Sequence, residues 1–100
     1  MDTGFIVVVR FETNTEDHES ARALIDSYIG DFLALQPGFI ESWLTEGTDG
    51  AGLLHFARWQ REEDFRAFAE KAQSHPDLEK IRAFSPSPAF YRPVARYGQE

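Results

Sequence analysis

One hundred residues, 42% hydrophobic and 14% aromatic, predict a single globular domain spanning 1–100 and exclude a disordered tail as the main feature. The formal charge is −7 and the ten Lys and Arg are scattered, which argues against nucleic acid, whose phosphates need a basic stripe. There is no cysteine, so disulfides, thiolate metal sites and cysteine nucleophiles are excluded, and no apolar run approaches the ~20 residues of a membrane span.

Met1-Asp2-Thr3 places no basic region ahead of an apolar one, so a cytoplasmic location is expected. The β-branched run Phe5 to Phe11 predicts a first strand, apolar on both faces until Arg10 and so covered on both sides. Thr13, Asn14 and Thr15 supply capping side chains. Ala21, Leu24, Ile25, Tyr28, Ile29 and Phe32 then recur at helical spacing, giving an amphipathic helix that Pro37-Gly38 ends. Phe39 to Thr45 predicts a second strand with Phe39, Glu41 and Trp43 on one face. Asp49-Gly50 marks a hairpin whose loop exceeds two residues, and Leu53 to Gln60 a third strand.

Phe65, Phe68, Ala69 and Ala72 predict a second helix. Ser74-His75-Pro76-Asp77 reads as the capped start of a short third one, packing through Leu78 and Ile81. Ser85-Pro86-Ser87-Pro88 is a stiff connector, and Phe90 to Tyr97 a last strand that Pro93 confines to an edge or bulge. The order is β-α-β-β-α-β, the ferredoxin-like α+β fold with a four-stranded antiparallel sheet. Helices cover one sheet face. The apolar positions on the other face call for a second copy of the chain, a homodimer.

His55 alternates with Leu53 and Ala57 and shares their face with Trp59. An imidazole and an indole set beside apolar positions suit the wall of a small-molecule pocket. The alternative is a satisfied core histidine beside a tryptophan that only fills space. An imidazole of unperturbed pKa ~6.5 takes a proton from a phenol or activated methylene near neutral pH. Tyr28, on the apolar helix face, is a core residue with a wet tip or a pocket donor. Trp43 belongs at a rim or dimer face, His18 reads as solvated, and His75 as part of a helix cap. The acidic clusters Glu16-Asp17-Glu19 and Glu62-Glu63-Asp64 complement helix starts and form no metal site.

The segments Gln36-Pro37-Gly38-Phe39-Ile40, Thr48-Asp49-Gly50, Phe56-Ala57-Arg58-Trp59, Glu62 to Phe68 and His75-Pro76 together resemble the antibiotic biosynthesis monooxygenase family. That resemblance implies a dimeric α/β-barrel built from ferredoxin-like halves. It also implies a cofactor-independent monooxygenase that oxidises an aromatic, polyketide-like phenol with O₂ and uses no metal, flavin or haem. The family carries an Asn four residues before the strand-ending Trp; His55 stands there, and the Trp is kept as Trp59. A family Tyr at the second helix is Phe65 here, and Arg82 is the nearest match to a family Arg. The resemblance thus implies His55 and Trp59 as catalytic residues, with Phe65 and Arg82 binding substrate; Tyr28 joins the substrate-binding candidates from its place on the apolar helix face. Two alternatives on the same scaffold are a non-catalytic binding or cyclase-like helper, and a haem-degrading oxygenase using Trp59 and His75.

Overall fold

The β-branched run forms β1 (Phe5–Phe11), which pairs antiparallel with β3 (Leu53–Trp59) on one side and β4 (Ser87–Tyr91) on the other. Strand β2 (Phe39–Glu46) completes a four-stranded sheet in the order β2-β3-β1-β4. Helices α1 (His18–Asp31), α2 (Glu62–Ala72) and α3 (Leu78–Arg82) connect the strands in the expected ferredoxin-like order. A computed structural model describes residues 4–98, so the reading of Met1-Asp2-Thr3 lies outside the described residues. No helix among the described residues is long and apolar enough to cross a membrane.

The register fixes which side chains share a face. Phe5 pairs with Trp59, Val7 with Ala57, Val9 with His55 and Phe11 with Leu53, and this face looks toward the helices. The Phe39/Glu41/Trp43 face predicted for β2 is broken by a bulge between Phe39 and Glu41. Phe39 opposes Trp59 on the inner face, whereas Trp43 opposes Phe56 on the outer one. An extra residue, Ile40, makes the switch, and period-two reading has no means of seeing it.

Helix α1 stops at Asp31, short of Pro37. Phe32 leaves helical geometry at φ −133°, and a 3-10 turn, Leu33–Leu35, follows. The Gln36 side-chain amide donates to the Phe32 carbonyl at 3.0 Å while its oxygen accepts from Lys71 on α2 at 3.1 Å. The Phe39 N–H then donates to the Gln36 carbonyl, closing a tight turn with Pro37 and Gly38 at its centre. Gly38 has φ +87°, and a Cβ there would collide with the Asp64 carboxyl group. The turn chemistry and close packing of the Pro37-Gly38 pair therefore both require glycine.

The last strand lies earlier than expected. It runs Ser87–Tyr91, starting inside the predicted connector, and leaves Pro93 beyond its end. Pro88 sits in β4 opposite Val9, which is allowed because β4 is an edge strand. Ser85 turns the chain into it at φ +53°. Ser74 does not cap α3; Asp77 holds that position, and its N–H donates to His75 Nδ1 at 3.0 Å.

Candidate functional site

The buried core is split into two clusters. Around Val7, Ala57, Trp59 and Phe68 it is rich in rings; around Ala21, Ile25, Leu53 and Ile81 it is mainly aliphatic, with Phe11 as the buried ring. Val9 and Tyr28 pack against both. A cavity of about 400 Å³ lies along the seam between sheet and helices. That is within the usual range for a small-molecule site.

His55 and Trp59 look into this cavity from β3, Tyr28 from α1, Phe65 from α2 and Arg82 from the end of α3. All five residues singled out from the sequence border one hollow. Trp59 is 1% exposed and braced on three sides, with ring centroids at 5.7 Å to Phe39, 5.8 Å to Phe65 and 5.5 Å to Phe68. It is core filling and cavity wall together, and such bracing holds the indole in one orientation.

His55 is 5% exposed, and its Nε2 has no hydrogen-bond partner among the described residues. Its strand neighbours across the sheet are Val9 and Leu44, which offer no polar atom. Burial alone pushes the imidazole pKa down to about 4, because the charged form loses its water and gains nothing in return. This corrects the expectation of a base titrating near neutrality: at pH 7 the ring is neutral and serves first as a hydrogen-bonding group. It is also not the satisfied core histidine of the plainer alternative. An orphaned polar atom this deeply buried destabilises the empty protein.

Burial, aided by the charge of Asp77, raises the Tyr28 phenol to about 12, so it stays protonated and able to donate. Its ring is held by Phe32, Phe68 and His75 at 5.5, 6.4 and 5.0 Å. Arg82 is half-exposed and pairs with Glu79 at 3.1 Å. With Gln73 and Pro88 it forms the exposed part of the lining, which places the cavity mouth there. Gln73 was missed from sequence, although it continues the stripe Phe65, Phe68, Ala69, Ala72 along α2. Pro86 and Pro88 were missed because they read as connector.

One histidine reading is revised: His18 is not solvated but buried, with Nδ1 2.7 Å from Thr13 Oγ1 and Nε2 2.8 Å from Glu46 Oε1. Thr13 Oγ1 also accepts the Gly52 N–H at 2.9 Å, so the group fastens the β2–β3 hairpin to the start of α1. His75 does not border the cavity. It is packed at 4.5 Å from Phe32, so it and Trp59 do not face one hollow as a haem site would need. Among the described residues no group of His, Cys, Asp or Glu converges on a metal site.

No protein-family model matches the chain. It is 26% identical over 95 residues to tetracenomycin-F1 monooxygenase of Streptomyces glaucescens, covering 94% of this chain and 85% of that one. A monooxygenase from the gene ActVA-Orf6 of Streptomyces coelicolor, solved with nanaomycin D, superposes with a TM-score of 0.80 at 20% identity, over 98% of this chain and 94% of the other. A variant of SnoaB, a cofactor-independent oxygenase from Streptomyces nogalater, gives a TM-score of 0.76 at 21% identity and 95% coverage of each chain. The chain is thus similar in sequence to one monooxygenase and in fold to several proteins described as monooxygenases, one of them an antibiotic biosynthesis monooxygenase from Nitrosomonas europaea.

Proposed function

We propose that this protein is a cofactor-independent monooxygenase that oxidises an aromatic, polyketide-like phenol with O₂, and that it works as a homodimer. The observation that carries the reading is the unpartnered His55 Nε2 inside an otherwise apolar cavity, on a fold shared with solved oxygenases. A hydroxyl brought by a ligand supplies the missing partner. Trp59 and Phe65 offer flat faces for fused rings, Tyr28 offers a protonated O–H to a substrate oxygen, and Arg82 stands at the mouth.

The lowered basicity of His55 shapes the chemistry. Full removal of a phenol proton before oxidation is uphill for an imidazole of pKa about 4. The proton therefore moves as an electron leaves. An anthrol-type substrate gives one electron to O₂ and its O–H proton to Nε2, leaving a neutral radical beside superoxide. These combine at the conjugated C–H carbon to form the C–O bond, and the imidazolium returns its proton to make a hydroperoxide. Loss of water from that group leaves a carbonyl. In sum a methylene and O₂ become a carbonyl and water, and no outside reductant enters. The protein orients, excludes solvent and holds the proton.

The outer sheet face supports the dimer: Trp43 and Tyr91 are exposed there, alongside Ile6, Val8 and Phe56. Burying ~1,000 Å² or more would make it a stable interface. The test of function is O₂ uptake by purified protein, without added cofactor, over anthrone-type phenols. His55→Ala is expected to weaken phenol binding by about the 5- to 150-fold that the lost hydrogen bond is worth, and at saturating ligand to lose on the order of 10²–10⁴ in turnover. Tight binding with no O₂ uptake above the uncatalysed rate would instead support the non-catalytic helper.

A further inference from the structure

The cavity has two unlike ends, and His55 stands near one of them. Along β3, Trp59 is four residues from His55, roughly 13 Å at ~3.3 Å per residue. The far end is walled by Trp59, Phe65 and Phe68. The near end is walled by Ile25, Ile29, Leu78, Ile81 and the two prolines, with Phe11 and the edge of Tyr28 as its rings and the mouth at Arg82 and Pro88 beside it. The register sets His55 level with Val9, and Val9 level with Pro88, so the orphaned nitrogen belongs to the aliphatic end. We propose that the site selects fused aromatic phenols whose hydroxyl-bearing ring also carries an alkyl or saturated-ring substituent, with the unsubstituted rings against Trp59.

The physical reason is one of matching surfaces. Fused rings gain from offset and edge contacts with Trp59, Phe65 and Phe68 that an alkyl group does not make. Branched side chains and prolines pack more readily around a compact alkyl group than around a flat ring. A ligand turned end for end would carry its hydroxyl away from Nε2 and leave that atom bare. The inference rests on the phenol reading of the cavity and adds a direction to it.

Calorimetric titration of 2-naphthol, 3-propyl-2-naphthol and 6-propyl-2-naphthol tests it on the intact protein. The two propyl isomers share formula and hydroxyl and differ in which end carries the alkyl group. The expected result is that the 3-propyl isomer binds about tenfold tighter than the 6-propyl isomer, from burial of a few methylenes in a fitting surface. Phe65→Leu, which makes the far end more aliphatic, is expected to narrow that ratio to about threefold or less by the same term. Equal binding of the isomers, or preference for the 6-propyl isomer, overturns the inference and leaves the phenol reading standing. Failure of all three naphthols to bind overturns the phenol reading, and the inference with it.

Discussion

Replacing His55 by leucine should change how stability responds to acid, with a sign and size set by the burial of the imidazole. The folded pKa is about 4, against an ordinary 6.5. Between these values the unfolded chain binds a proton that the folded chain refuses, so folding weakens as pH falls through the window. The stability is fully present above pH ~6.5 and lost progressively toward pH ~4. At ~1.36 kcal/mol per unit, the loss between pH 7.5 and 4.5 is about 2.5 kcal/mol. With a urea dependence of ~1.2 kcal/mol per molar, the midpoint should drop by roughly 2 M more in the wild type than in His55→Leu. Urea titrations at fixed protein concentration, compared between the two proteins at each pH, cancel every other titrating group. A pH-independent difference between them would refute the claim that this ring is buried neutral without a partner.

Gly38→Ala should lose about 2 kcal/mol or more, seen as a melting point lower by ~10 °C, because the new Cβ meets Asp64 in a left-handed backbone conformation. The hydrogen bond from His18 is the main cause holding the Glu46 carboxyl below its ordinary range. The fastening is therefore intact above pH ~4.3 and lost as pH falls through the lower folded value. His18→Ala should speed hydrogen exchange of the Gly52 amide, whose acceptor Thr13 loses its anchor; unchanged exchange would show that Thr13 stands without it. Trp43→Arg places a charge on the outer sheet face at a half-exposed position. Sedimentation should then report monomers with an unaltered circular dichroism spectrum; an unchanged sedimentation coefficient would remove Trp43 from any interface.

Element order was legible because it rests on local signals: β-branched runs, helical apolar spacing, and Pro and Gly at turns. The inward aim of His55 and Trp59 followed from the same period-two alternation, since β3 is regular from end to end. What escaped is whatever depends on contacts between distant segments. The bulge at Ile40 reflects pairing with β3, and the early start of β4 reflects a ladder that Pro88 joins only because no strand lies beyond it. His18 looked solvated on a charged background, but its partners Thr13 and Glu46 lie on a loop and a strand end brought together by the fold. The basicity of His55 was equally hidden, because residue type gives an ordinary pKa and only the surrounding apolar walls lower it.

Those walls also decide what the empty site asks of a ligand. An unsatisfied buried nitrogen costs about 1–3 kcal/mol, and a packed core would have avoided this with a leucine. A ligand hydroxyl that reaches Nε2 recovers the same quantity on binding. A phenol should thus bind ~5- to 150-fold tighter than its deoxy analogue of equal shape, with most of that ratio vanishing in His55→Leu. Under the proposed function, the cost of burying Nε2 unpaired and the preference for a hydroxylated aromatic trace to the same atom, so His55→Leu should stabilise the fold at pH 7 while removing that preference.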